Sequence, residues 1–116
     1  MKRIIITGAG PAGLFAAYKL VTNPKESTEV RVIDSGGTIE ERVLSKDVLH
    51  GVGGAGLMSD GKLNFDTRIG NNLNEILPEE ENKRLTEEVE KIFNSFGVLK
   101  LDIDSKKAKE LEKRAL

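Results

Sequence analysis

The stretch "IIITGAGPAGLFAA", Ile4 to Ala17, constrains this chain more than any other. Three β-branched residues run together and a glycine follows almost at once. That pattern predicts a strand buried on both faces, of the parallel-sheet kind. Gly8 ends the strand. Pro11 stands where a helix can begin, since its missing N–H costs nothing at a first helical position. Leu14, Tyr18 and Val21 then recur at helical spacing, and Asn23-Pro24 stops the helix. "EVRVID", Glu29 to Asp34, is a second strand with Val30 and Val32 on one face. The order is strand, turn, helix, strand, and its crossover is expected to be right-handed.

Within that unit, "GAGPAG" fits the G-x-G-x-x-G pattern of a dinucleotide-binding turn. Glycines alone make a weak signal, but here strand, turn, helix and a later acid fall in register. Gly8 permits the tight turn, Gly10 lets a pyrophosphate approach the backbone, and Gly13 lets the helix lie close to the sheet. The free N–H groups and dipole of the helix start face the phosphates. Asp34 follows Gly13 by about 20 residues, as the pattern requires for an acid that accepts from a ribose diol. A carboxylate there also repels a 2′-phosphate. The fingerprint does not choose between FAD and NAD, because both carry the same ADP half.

The remainder is less regular. Residues 35 to about 77 keep no sustained period, with weak helical character from Ile39 to Leu49. At the centre lies "GVGGAGLMSDGKLN", Gly51 to Asn64, a backbone almost bare of side chains. From Pro78 periodicity returns, and Leu85, Val89, Ile92, Phe93 and Phe96 line one face of a helix. Glu79 to Glu81 suit its N-terminus and Gly97 its C-terminal end. "VLKLDI" reads as a short strand and "DSKKAKELEKRAL" as a last amphipathic helix. The expected fold class is therefore α/β, with a partial parallel sheet and C-terminal amphipathic helices. One domain is expected over 1–116, made of a βαβ unit (1–34), a loop region facing a ligand (35–77) and a helical segment (78–116).

Composition removes several classes of function. The net charge is −1, so there is no basic footprint for nucleic acid or a membrane surface. There is no cysteine, hence no disulfide scaffold, thiolate metal site or cysteine nucleophile, in keeping with a cytoplasmic location. The one histidine, His50, makes no multi-histidine metal site. Glycines and a proline interrupt the N-terminal apolar run where a signal peptide needs continuity.

The opening "IIITGAGPAGLFAAYKL" resembles FAD-dependent oxidoreductases of the glutathione-reductase-like class, with a Rossmann-like FAD-binding fold. "IEERVLSKDVLHGVGGAGLMSDGKLNF" resembles, more specifically, a group of FAD-dependent dehydrogenases that carry a Glu-Arg pair after the second strand and then a "GxGGAGxxSDGKL" block. "RIGNNLNEIL…EEVEKIFNSFG" is similar to the same group. The resemblance implies that Gly8, Gly10, Pro11, Ala12 and Gly13 hold the FAD pyrophosphate. It places Asp34 at the adenosine ribose and Arg42 near the ribose or phosphates, with Ser35 also among the cofactor-binding residues. Gly53, Gly54, Ala55 and Gly56, with Ser59, Asp60, Gly61 and Lys62, would line the cofactor. In such flavoproteins the ribose acid is more often glutamate, so the shorter Asp34 implies a longer or water-mediated bond. Members of that group run to several hundred residues, which implies the N-terminal piece of a longer flavoprotein.

The implied reaction is flavin-mediated hydride transfer, with NAD(P)H or another electron donor. No residue is a convincing general acid or base. His50 beside the glycine block is the only candidate for such work near pH 7, and a loop histidine is its commoner meaning. Two other readings stay open. One is a non-catalytic remnant that is structural or homo-oligomeric through an exposed sheet edge. The other is a small NAD-binding module, which leaves the second glycine block unexplained.

Overall fold

The structure is a computed structural model that describes residues 1–24, 27–70 and 72–98. The chain divides between Lys62 and Leu63 into two compact units. In the first, strand β1 (Lys2–Thr7) leads into helix α1 (Pro11–Thr22), and strand β2 (Thr28–Ile33) returns parallel to β1. Helix α2 (Ile39–Ser45) and a 3-10 turn (Ala55–Met58) follow. This is the Rossmann-like β-α-β start that the glycine pattern predicts.

Register is fixed by the pairing of Ile4 with Val30 and of Ile6 with Val32. These four side chains share the face on which α1 packs, because side chains alternate across a strand. Gly13 brings the helix down: a Cβ there would lie 1.9 Å from the Gly8 carbonyl oxygen and 3.3 Å from Ile6 Cγ2. Helix α1 starts with Pro11 at its first position and ends at Asn23, as expected. Its half-buried residues include Phe15, Ala17, Tyr18 and Leu20, whereas Leu14 and Val21 are exposed.

The expectation of a strand buried on both faces is corrected. Ile5 is 64% exposed. The single helix covers one face, and no described element of this unit covers the other. There the cross-strand pair Arg3–Glu29 closes at 3.2 Å and Arg31 reaches Glu29 at 2.7 Å. A charged trio thus shares that face with Ile5 and Ile33.

In the second unit, a 3-10 turn (Leu73–Glu75) precedes helix α3 (Glu79–Ser95). Pro78 caps α3, and Glu79, Glu80 and Glu81 occupy its first turn, where the helix dipole favours negative charge. Phe93 meets Phe65 with ring centroids 5.9 Å apart. Asn82, fully buried on the same side, donates to Asn74 Oδ1 at 2.8 Å, a polar contact the apolar periodicity does not announce. Phe96, expected on the inward face, is exposed, because it is the C-cap just beyond the last helical turn. Apart from Val98, the strand expected over 98–103 and the last helix over 104–116 lie outside the described residues.

The close approach at Gly13 gives a direct test. Gly13→Ala should destabilise the chain by about 1–3 kcal/mol, toward the upper end because the obstructing atom is backbone. Chemical denaturation followed by far-UV circular dichroism reads this. An unchanged midpoint would mean that α1 lies farther from β1 than described.

Candidate functional site

All the candidate site residues fall in the first unit. Gly8 takes the left-handed region (φ +98°), which the turn out of β1 requires, and its amide donates to Ile33 O at 2.7 Å. The first α1 hydrogen bond to the cap runs from Leu14 N to Gly10 O at 3.0 Å. The amides of Gly10, Ala12 and Gly13 therefore precede any intrahelical acceptor, and Pro11 has none to offer. A Cβ at Gly8 or Gly10 would meet nothing within 4 Å, so this end of the helix is open to a ligand.

Asp34 leaves the end of β2 and turns back on that loop. Its Oδ2 accepts from Ala9 N at 2.7 Å and its Oδ1 from Gly36 N at 2.8 Å. These bonds favour the charged form, the Ala9 amide most and the Gly36 amide next, and hold the carboxyl below its ordinary 3.8. Desolvation opposes the shift, and the charges of Arg42 and His50 add to it. Each oxygen keeps a further lone pair, so a ribose hydroxyl can still donate to it. Ser35, beside it, is exposed.

The second glycine block docks on the first. Gly53 N donates to Ala9 O at 2.8 Å. A Cβ at Gly54 would stand 3.1 Å from Pro11 Cδ and 3.3 Å from Gly10 Cα. At Gly51 (φ +106°) a Cβ would meet Gly37 O at 2.4 Å. Part of the bare backbone therefore has an intramolecular reason: the two loops touch main chain to main chain. Gly56 and Gly61 differ, since a Cβ there meets nothing within 4 Å. Ala55 and Gly56 lie in the 3-10 turn.

Ser59 to Lys62 form an exposed turn held by local bonds. Ser59 Oγ donates to Gly56 O at 2.6 Å, and Asp60 pairs with Lys62 Nζ at 3.0 Å. His50 is exposed too. Its Nδ1 lies 3.5 Å from Asp47 Oδ1, and that oxygen also accepts from the Leu49 and His50 amides. Among the described residues, no group of three or more metal-ligating side chains comes together, and no helix is long and apolar enough to cross a membrane.

Arg42 is not a solvated surface charge: it is 1% exposed. Its Nε donates to Asp47 O at 3.1 Å and its Nη1 to Val52 O at 2.5 Å, while buried Nη2 has no hydrogen-bond partner. The helix that presents it starts with a capping box. Glu41 N donates to Thr38 Oγ1 at 3.3 Å, and Thr38 N donates to Glu41 Oε2 at 2.7 Å. Thr38 and Glu41 are the residues that sequence reasoning missed here. Their T-x-x-E spacing was the signal that would have fixed α2 and the placement of Arg42.

The family model for pyridine nucleotide-disulphide oxidoreductases matches residues 2–115. The chain belongs to that family, whose members bind FAD or NAD(P). It is an oxidoreductase-type nucleotide-binding module. Searches among curated proteins and among solved structures gave no match. The sequence has no cysteine, so the redox disulfide of the family's name is not carried by these residues.

Asp34 yields a pH prediction. A carboxyl with a lowered folded-state pKa stabilises the fold fully above its ordinary 3.8, and the contribution fades as pH falls through the depressed value. Asp34→Asn keeps the shape but leaves an amide nitrogen that cannot accept. The stability gap between wild type and D34N should be largest near about pH 7 and shrink steadily below about pH 4. Urea denaturation across that range measures it, and a gap that stays constant with pH would contradict the assignment.

Proposed function

We propose that this member of the pyridine nucleotide-disulphide oxidoreductase family binds FAD through its ADP half, as the cofactor-holding part of a flavin-dependent dehydrogenase. The observation that carries the reading is the bond from Gly53 to the Ala9 carbonyl. It sets a second glycine-rich loop against the nucleotide turn, beside the open helix start.

The residues fit the group. Gly10, Ala12 and Gly13 offer amides at the positive end of α1, suited to a pyrophosphate. Gly8 and Gly10 leave the approach clear. Asp34 retains acceptor capacity for the ribose diol, and buried Arg42 supports the second glycine block from behind through its bond to Val52 O. The exposed Lys62 adds positive charge at the end of the second block, although Asp60 offsets it. Bound flavin would supply the hydride chemistry, with NAD(P)H or another donor as its source. The chain's part is to bind and orient the nucleotide, and we assign none of its residues to proton transfer.

The NAD reading rests on the same α1 N-terminus and Asp34, and titration separates the two. Purified protein should take up FAD and ADP with comparable affinity, giving a bound-flavin absorbance band. Because Asp34 faces the ribose, NADPH should bind at least roughly tenfold more weakly than NADH. NADH uptake without FAD uptake would favour a pyridine-nucleotide module, and no uptake of any of the four would refute nucleotide binding by this chain.

A further inference from the structure

We infer that Arg42 is a positioning residue, a clamp that orients the Val52–Gly53 peptide and so sets the second glycine block on the nucleotide turn before any ligand arrives. The geometry rests on a single peptide group. Arg42 Nη1 donates to Val52 O at 2.5 Å, and the N–H of the same peptide, that of Gly53, donates to Ala9 O at 2.8 Å. In a trans peptide the C=O and N–H point opposite ways. One plane therefore spans from the guanidinium on one side to the nucleotide turn on the other. A charged donor on the carbonyl polarises the peptide and strengthens the bond its N–H makes.

The rest of the guanidinium's surroundings hold the clamp at a fixed distance. Nε donates to Asp47 O, which ties the loop after α2 to the same side chain. Val52 N, in the preceding peptide, donates to Gly37 O at 3.0 Å, which ties the strand-to-helix turn to the residue next to the clamped peptide. Gly51 leaves the space that Arg42 needs: a Cβ there would lie 2.8 Å from Arg42 Cδ. The capping box of Thr38 and Glu41 fixes the helix start one turn earlier, and Arg42 N donates to Thr38 O at 2.9 Å. Arginine is required because its planar fork serves two carbonyls at once, whereas the point charge of lysine serves one well.

The clamp itself is a property of the folded chain. Its consequence for affinity rests on the nucleotide-binding reading above, and the experiment separates the two. Amide hydrogen exchange is measured by NMR on the full chain with no nucleotide added, for wild type, Arg42→Met and Arg42→Lys. R42M should speed exchange of the Gly53 amide at least roughly tenfold, while the β1–β2 ladder amides stay within about twofold. R42K should recover part of the Gly53 protection. FAD or ADP affinity should fall in the order wild type, R42K, R42M. Unchanged Gly53 exchange in R42M, or Gly53 and ladder amides accelerating together without recovery in R42K, would overturn the clamp. If R42M does not fold, the wild-type protein decides: the Arg42 Nε–H should exchange far more slowly than that of exposed Arg84, and equal rates would overturn the proposal. A wild type that takes up no nucleotide refutes the binding reading alone, because the exchange results stand without it.

Discussion

The Ala9 residue is the point on which the first unit depends. Its amide donates to Asp34 and its carbonyl accepts from Gly53, so one residue of the turn joins the end of β2 to the second glycine block. Among the described residues, Ala9 is the one buried hydrophobic, at 4% exposure. Hydrophobic packing alone does not hold these loops, since among the described residues of this unit α1 rests on two strands whose other face no element covers. A short network of backbone amides, one carboxylate and one guanidinium takes over there. Each bond contributes modestly in net terms, but a buried polar group left without its partner costs more than the bond adds. That asymmetry makes the network specific.

The network changes the meaning of the bare glycine stretch. Some of its glycines are bare because other segments come close: Gly54 lies against Pro11 and Gly10 of the turn, and Gly51 against Gly37 of the loop after β2. Others, at Gly56 and Gly61, face open space. On the proposed reading, a nucleotide at the start of α1 meets a turn whose shape is already set, with its ordering cost met during folding. Preorganisation of this kind gives affinity without adding contacts.

Much of this was legible in the sequence. The βαβ order, the helix start at Pro11, its stop at Asn23 and the start of α3 after Pro78 all follow from local rules that tertiary packing did not override. Periodicity read the inward faces less well. Ile5, Leu14, Val21 and Phe96 are exposed, because burial depends on what lies across from a side chain and local pattern does not encode that. The site was legible as a set of residue types and not as a set of bonds. Asp34 could be placed beside the turn from spacing, yet its two amide partners depend on how the chain bends at Ser35 and Gly36. Arg42 was readable as part of a resemblance, whereas its burial follows from Thr38, Glu41 and Gly51 acting together across a fold-back.

The Asp34 carboxylate holds the turn between β1 and α1 in shape without a ligand. A pH titration of the ligand-free protein by 15N-edited NMR tests it most directly, following the Ala9 and Gly36 amides. Both signals should lie downfield and move together upfield through one titration step below 3.8, the ordinary value of the group they share. Amides that ignore the titration, or that shift at different pH values, would contradict it.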